Sequence, residues 1–198
     1  MLLTAFGPFP GAPVNPTPAV IARAAELAPA SFEIETMVLD TEFAAVPARL
    51  AEAAARKPEI VVMTGLASRA SLVRLERRAR NEVTAGRLDA AGRDWPSGLV
   101  DAGAPEVLSA TADLLQAQAA LTRAGVEFEL SEDAGRYVCE FAYFHALRLF
   151  AAARVVFVHV PPIAPADGAQ TGQAALTETE AARAVAAVLV SQAPSLEG

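Results

Sequence analysis

The chain has 198 residues, of which 53% are hydrophobic, and its 16 basic and 23 acidic side chains give a formal net charge of −7. A chain of this length closes a hydrophobic core without disulfide or metal cross-links, so we expect one domain over residues 1–198. The acidic balance leaves little basic surface for nucleic acid or anionic membranes, and we expect neither as a partner. The sequence contains no run of about 18 uninterrupted apolar residues, so no membrane-spanning helix is predicted.

The first part of the chain alternates short apolar strands with alanine-rich helices. Strands are predicted at residues 2–5, 32–39 and 60–63, and helices at about residues 18–28 and 44–56. The segment at residues 6–13, between the first strand and the first helix, is dense in turn-forming residues. Residues 60–63 form a continuous apolar run that ends near Gly65, which is typical of a parallel strand buried on both faces.

The second part of the chain continues the alternation after an irregular middle. Residues 72–80 are predicted to be extended and residues 84–105 to form a loop. Further helices are predicted at residues 107–124, 137–153 and 177–192, with strands at 126–130 and 154–160. Gly125 is a plausible stop for the first of these helices.

This order of elements predicts a three-layer α/β/α sandwich around a mostly parallel, twisted sheet. In such a sheet, ligands bind outside the carboxyl ends of the strands. The segments that follow predicted strands are therefore the candidates for function, and they are residues 6–11, 65–68, 131–135 and 159–163.

Cys139 is the only cysteine, so no intrachain disulfide and no cysteine-rich zinc site can form. It lies near the start of a predicted helix, where the helix dipole stabilises anions and so favours the nucleophilic thiolate. The alternative is a buried apolar cysteine, which is the commoner environment of a free thiol. A lone thiol and an amino terminus without a secretory signal favour a reducing, cytoplasmic setting.

A nucleophilic cysteine needs a base, and the chain offers two histidines. His145 lies six residues after Cys139 on the same predicted helix, which rotates it by about 600° and turns it away. His159 ends a predicted strand on the ligand side of the sheet and is the better base. The alternatives are a core histidine at position 159 and a helix-surface or packing histidine at position 145.

Other candidates near the predicted site have equally ordinary alternatives. Glu76 is one of 23 acidic residues that could orient the base, although its arginine-rich surroundings also fit a solvated ion pair. Phe6 and Phe9 flank a proline turn and either line an apolar pocket or anchor their loop. The chain lacks the glycine-rich phosphate-binding motifs and the G-x-S-x-G motif of serine hydrolases.

Four separated segments resemble those of one family. Residues 3–11 (LTAFGPFPG) with the following Asn15-Pro16 resemble its T-G-F-x-P-F-G-G…N-P opening, and residues 65–67 (GLA) with 76–81 (ERRARN) resemble its G-L-A…E-R-x-A-x-N segment. Residues 131–140 (SEDAGRYVCE) resemble S-N-x-A-G-x-x-x-C-N, and residues 158–161 (VHVP) resemble I-H-V-P. The family is pyroglutamyl-peptidase I, the cysteine peptidases that remove an N-terminal pyroglutamate, and the order and approximate spacing match over nearly the whole chain.

The resemblance implies a thiol protease of the open α/β/α type that needs no cofactor or metal. Its catalytic cysteine, histidine and glutamate fall on Cys139, His159 and Glu76. The phenylalanines that hold the pyrrolidone ring fall on Phe6 and Phe9. Leu66 and Arg69 complete the implied substrate-binding set. The implied partners are small peptides with an N-terminal pyroglutamate, and a homo-oligomer is compatible with the family.

Several positions depart from the family pattern. The segment that usually reads G-L-A-P-G-R here places Arg69 one position early and is followed by Ala70, while Glu132, Asp133 and Glu140 replace asparagine or small residues near the nucleophile. Added negative charge disfavours a thiolate unless these carboxylates face solvent or pair with Arg136. Two alternatives therefore stay open, a related hydrolase of another small N-acyl or lactam amide and a catalytically silent binding protein of the same fold.

Overall fold

The computed structural model describes residues 1–164 and 176–194, in which strands and helices alternate. The elements are β1 (Leu2–Phe6), α1 (Thr17–Leu27), β2 (Glu35–Leu39), α2 (Val46–Ala54), β3 (Ile60–Leu66), β4 (Val73–Glu76), β5 (Arg78–Arg80), β6 (Val107–Ser109), α3 (Leu114–Arg123), β7 (Phe128–Ser131), α4 (Val138–Leu149), β8 (Arg154–Val160) and α5 (Glu178–Ser191). None of the helices in these residues is long and apolar enough to cross a membrane.

Six strands form one mixed sheet in the order β2-β1-β3-β8-β4-β7. All neighbouring pairs are parallel except β4 and β8, which are antiparallel. The central strands β1, β3 and β8 are almost entirely buried, because both of their faces are covered. β5 and β6 form a separate antiparallel ribbon.

The helices cover both faces of this sheet and enclose two hydrophobic cores. Alternate residues of one strand point to opposite faces, so Leu2 and Phe6 of β1 join the core beneath α2 and α4, while Leu3 and Ala5 join the core beneath α1, α3 and α5. The predicted three-layer α/β/α sandwich with a mostly parallel sheet is therefore confirmed.

The helix predicted over residues 107–124 is wrong in its first third. Val107–Ser109 forms β6 and pairs with β5, and the helix begins only at Leu114. Asp113 caps that helix by accepting a hydrogen bond from the Gln116 N–H at 3.0 Å. Strand pairing with a distant segment thus decides the structure of residues whose helical pattern is weak.

Candidate functional site

The antiparallel pairing of β4 with β8 brings the Glu76 and His159 side chains together. Arg74 lies opposite His159, and Glu76 lies opposite Phe157. Residues two apart share a face of a strand, so Glu76 and His159 are diagonal neighbours on one face of the sheet. Glu76 Oε1 lies 2.8 Å from His159 Nδ1. Glu76 is 0% exposed, which rules out the solvated ion pair with nearby arginines.

His159 lies between two acidic groups. Burial alone lowers the pKa of its imidazole, but hydrogen bonds with the Cys139 and Glu76 side chains, together with the charges of those groups, outweigh burial and raise that pKa to about 9. The imidazole is therefore positively charged at neutral pH. A positive imidazolium between a thiol and a carboxylate is the arrangement that stabilises a cysteine thiolate.

Cys139 is the second residue of α4 and is only partly buried. Its sulfur lies close to the backbone of β3, since a Cβ atom added to Gly65 would come within 3.0 Å of Cys139 Sγ and 2.9 Å of Phe157 Cζ. Glycine is the only residue that leaves room for both groups here. The first N–H groups of α4 have no partner within the helix, and the positive end of its dipole lies at the turn that carries Cys139.

The chain enters α4 through two residues with left-handed backbone torsions, Gly135 at φ 98° and Arg136 at φ 49°. The Gly135 N–H donates to Asp133 Oδ1 at 2.9 Å, and the Arg136 carbonyl accepts from the Thr84 N–H at 2.9 Å. These bonds fix the turn from both ends. The Gly135 N–H is therefore occupied, which leaves the later N–H groups up to Cys139 for a ligand.

Cys139 and His159 open onto a cleft of about 700 Å³. The four residues that the resemblance assigns to substrate binding line the same cleft, and they are Phe6, Phe9, Leu66 and Arg69. Glu76 does not line the cleft, and it reaches the cleft only through its contact with the His159 side chain. Of the described residues, no cluster of three or more His, Cys, Asp or Glu side chains is arranged to hold a metal.

Aromatic side chains form one wall of the cleft. Phe6 is almost fully buried and stacks on Phe157 with ring centroids 6.3 Å apart, whereas Phe9 is partly exposed and lies 6.0 Å from the Tyr137 ring. Tyr137 also carries the Arg87 guanidinium 3.9 Å above its ring centroid. Sequence reasoning missed Tyr137 and Arg87, because Tyr137 falls on a variable position of its motif, Arg87 lies in no motif, and their contact joins segments 50 residues apart.

The turn after β1 is held by two polar side chains. Asn15 Nδ2 donates to the Gly7 carbonyl at 3.1 Å, and Thr41 Oγ1 donates to the same carbonyl at 2.8 Å. Asn15 was visible in the sequence as part of the Asn-Pro pair, but Thr41 carried no signal. Together they fix the position of the segment that presents Phe6 and Phe9.

The acidic departures behave in two different ways. Asp133 and Glu132 are solvent-exposed and ion-paired, Asp133 with Arg136 at 3.6 Å and Glu132 with Arg77 at 2.7 Å and with Arg78. Ion pairs with arginine side chains thus offset part of both charges, and the pairing of Asp133 with Arg136 is one that the sequence predicted.

Glu140 differs, because its side chain is fully buried and accepts backbone N–H groups of Arg80 at 2.5 Å and Ala134 at 3.1 Å. Burial, and secondarily the charges of Asp133 and Glu76, raise the pKa of Glu140 to about 7 against the lowering effect of the two N–H groups.

His145 takes no part in the site. Its ring packs edge-on against Phe141 with centroids 4.6 Å apart, and burial lowers the pKa of its imidazole. This is the packing position that the helical rotation from Cys139 predicts.

Comparison with known proteins gives one consistent result. A family model described as pyroglutamyl peptidase matches residues 1–193. The pyrrolidone-carboxylate peptidase of Gloeobacter violaceus is 32% identical over 193 residues, covering 96% of this chain and 94% of the relative, and that of Deinococcus radiodurans is 30% identical over 211 residues, covering 100% and 97%. The crystal structure of pyrrolidone carboxyl peptidase from Thermus thermophilus superimposes with a TM-score of 0.85 at 27% identity, covering 97% of this chain and 99% of that one. Pyroglutamyl peptidase I from Bacillus amyloliquefaciens gives 0.84 at 25% identity, covering 96% and 93%.

Proposed function

The chain belongs to the pyroglutamyl peptidase family of cysteine peptidases, which remove an N-terminal pyroglutamate, and we propose that it performs this hydrolysis with Cys139, His159 and Glu76. The observation that carries the assignment of residues is the line of side-chain contacts from buried Glu76 through His159 to Cys139 at the floor of the cleft. Each group has one role in that line.

The thiolate of Cys139 attacks the carbonyl carbon of the pyroglutamyl residue and forms a tetrahedral oxyanion. When the intermediate collapses, the C–N bond breaks, the amine leaves with a proton from the His159 imidazolium, and a thioester remains. Water then attacks the thioester while His159 takes up its proton, and the thiolate is released. Glu76 occupies Nδ1 of the imidazole, so Nε2 is the atom that faces the sulfur and moves the proton.

Backbone N–H groups at the start of α4 stabilise the oxyanion in this scheme. A single donor of this kind commonly contributes about 3–4 kcal/mol to the transition state. The donors are those between Arg136 and Cys139, because the Gly135 N–H is bound to Asp133. They lie next to the attacking sulfur by virtue of belonging to the same helical turn.

The pyrrolidone ring fits an aromatic slot. It is apolar apart from one N–H and one C=O, so Phe6, Phe9 and Leu66 supply the contact surface and a few backbone groups supply the orientation. The ring has no free amine, which means that a slot of this kind accepts only the blocked amino terminus of a peptide. Arg69 is exposed and lines the same cleft, and in this proposal it faces the peptide that follows the ring.

The wider assignments rest on the same features. We propose small pyroglutamyl peptides as substrates and the cytoplasm as the compartment, since a reducing compartment keeps a free catalytic thiol from being oxidised. We also propose that residues 1–198 form a single domain, because one sheet joins strands from Leu2 to Val160. A homo-oligomer stays an expectation of the family.

The direct test is hydrolysis of a pyroglutamyl chromogenic amide by Cys139→Ala. We expect the wild-type protein to cleave it and the variant to lose all cleavage. Prolyl and acetyl amides assayed beside it measure selectivity for the lactam ring. Unchanged turnover by Cys139→Ala would refute the mechanism, and cleavage of only the other amides would refute the substrate.

A further inference from the structure

The residue after the nucleophile ties two distant backbone segments together. Glu140 is the third residue of α4, and its carboxyl group is fully buried. Oε1 accepts the Arg80 N–H at 2.5 Å, and Oε2 accepts the Ala134 N–H at 3.1 Å. The reaction described above does not use this group, so the buried carboxyl needs a separate explanation.

The two segments that Glu140 joins are the entrance to α4 and the end of β5. Ala134 precedes the left-handed pair Gly135 and Arg136, from which the chain enters the helix that carries Cys139. Arg80 ends β5, which is fixed in turn by its pairing with β6. The carboxyl group therefore connects the entrance turn to a strand that is itself held by strand pairing.

We propose that Glu140, as a carboxylate, is a positioning residue that holds the turn at residues 134–137 so that the first N–H groups of α4 meet the oxyanion. The inference rests on the proposed function, because it assigns a supporting role within that reaction. Glu140 touches neither the substrate nor the sulfur in this account and acts through the backbone of the turn.

The protonation state of the group decides how many bonds it accepts. A carboxylate accepts both N–H groups, whereas a protonated carboxyl or a glutamine amide turns one donor toward one of them and leaves that N–H without an acceptor. The groups that face Glu140 are Asp133 from the turn, Glu76 from β4 and the buried Tyr143 of α4. On β5, the Arg80 guanidinium is directed to the Glu132 carbonyl, at 3.2 Å from Nε.

These surroundings place the protonation of the Glu140 carboxylate near neutral pH. Burial and the charges of Asp133 and Glu76 raise the pKa of Glu140 to about 7, while the two N–H groups oppose the shift. As the pH falls below that value, the group becomes protonated and one bond to the turn is lost. The rate of the chemical step then decreases, while the aromatic slot for the lactam ring is unaffected.

The test compares Glu140→Gln with the wild-type protein on a pyroglutamyl amide across about pH 5.5–8.5. We expect kcat of the variant to be at least about tenfold lower at the alkaline end of the range, with KM within about twofold, because a displaced oxyanion turn affects the transition state more than the bound substrate. We also expect the wild-type kcat to fall on the acid side of about pH 7 and that limb to be absent in the variant.

Glu132→Gln is the matched control. It removes the same charge from the neighbouring turn, but its carboxylate is exposed and pairs with Arg77 and Arg78 instead of with backbone N–H groups. This control keeps the wild-type kcat and the wild-type acid limb. Alkylation of Cys139 with iodoacetamide at about pH 6, where a thiol with the ordinary pKa of about 8.5 reacts slowly, counts the activated sites in each preparation, so kcat refers to intact protein.

Three results would overturn the proposal. The first is a folded Glu140→Gln protein with wild-type kcat and an unchanged pH profile, and the second is a loss of activity that disappears when kcat is expressed per alkylatable Cys139. The third is a wild-type kcat that does not decrease below about pH 7. This result decides the question if Glu140→Gln does not fold. Activity in Cys139→Ala, by contrast, refutes the proposed function and not the positioning role alone.

Discussion

Two buried carboxyl groups, Glu76 and Glu140, lie close to the same cysteine and are stabilised in different ways. Both side chains are 0% exposed. Glu76 lies 2.8 Å from the His159 imidazole, a group that carries a positive charge at neutral pH. Within residues 1–164 and 176–194, Glu140 has no ion pair with a basic side chain and accepts only two backbone N–H groups.

The comparison shows what amide dipoles can and cannot do for a buried charge. Two N–H groups lower the pKa of Glu140, but they do not offset the desolvation and the like charges of Asp133 and Glu76, and the pKa rises to about 7. The Glu76–His159 pair instead adds a full opposite charge in a low-dielectric setting. The first arrangement is sensitive to pH in the neutral range, and the second supplies an orienting partner for the base.

The largest effect should come from neutralising Glu76, the carboxylate that faces the His159 imidazole. In Glu76→Gln the amide keeps the shape of the side chain but removes the charge that orients and stabilises the imidazolium, so kcat/KM should fall on the order of 10³–10⁴-fold. Steady-state hydrolysis of a pyroglutamyl amide measures it.

Glu129→Gln is the control for that variant. It removes an exposed carboxylate from the ion pair with Arg74 on the neighbouring strands and should leave kcat/KM within about twofold. A Glu76→Gln protein with wild-type kcat/KM contradicts the role of Glu76.

A second prediction tests how tightly the residues around the Cys139 sulfur are packed. In Gly65→Ala the new Cβ meets Cys139 Sγ at 3.0 Å and Phe157 Cζ at 2.9 Å, so the sulfur or the ring must move. We expect kcat/KM to fall about 10²-fold and the free energy of unfolding to fall by about 1–3 kcal/mol. Steady-state kinetics and denaturant unfolding measure the two changes. A Gly65→Ala protein that matches the wild-type protein in both measurements would show that the contact is not tight.

A third prediction separates the two regions by pH. The folded pKa of Glu140, about 7, lies above its ordinary value of 4.5, so the folded protein binds a proton more tightly than the unfolded chain, and its stability falls as the pH rises from about 4.5 to 7. Over that window the loss amounts to about 3 kcal/mol. Urea unfolding at a series of pH values measures the slope.

The His159 contribution falls in a different window. Its folded pKa of about 9 lies above the ordinary 6.5, so the stability it adds is fully present below pH 6.5 and is lost as the pH rises to about 9. Glu140→Gln should remove the slope between about pH 4.5 and 7 and keep the slope above it. Loss of both slopes, or of neither, in that variant would show that the two groups do not titrate separately.

The smallest effect belongs to the exposed carboxylates of the same turn. Glu132→Gln breaks ion pairs of side chains that are 40% to 52% exposed at Glu132 and Arg77, and such pairs contribute little in water. The free energy of unfolding should change by less than about 1 kcal/mol in urea titrations. A larger change would mean that Glu132 holds the turn together with Glu140.

The sequence predicted the fold more completely than it predicted the site. The alternation of strands with helices predicted a mostly parallel sheet, and the apolar run at residues 60–63 predicted that this strand is buried on both faces. β6 was not predicted, since its partner β5 lies more than 25 residues away in the chain and local pattern does not contain that pairing.

The site shows the same limit at the level of single residues. His159 was preferred over His145 from helix rotation and strand position alone, and the structure places His159, but not His145, at the cleft with Cys139. From the residues alone Glu76 was one candidate among 23 acidic residues, and only the family resemblance singled it out, because its contact with His159 depends on the antiparallel pairing of β4 with β8. Glu140 was noted only as a departure, since its bond to the Arg80 N–H spans 60 residues.

The most direct test of the account is the titration of the two histidine rings by NMR, with His145→Gln to assign the signals. The account predicts that His159 titrates near pH 9, because Cys139 and Glu76 both stabilise its imidazolium, while His145 titrates below its ordinary 6.5. In Glu76→Gln the His159 titration should move to lower pH. If both rings of the wild-type protein titrate at or below about pH 6.5, the charged imidazolium between sulfur and carboxylate does not exist and the account is wrong.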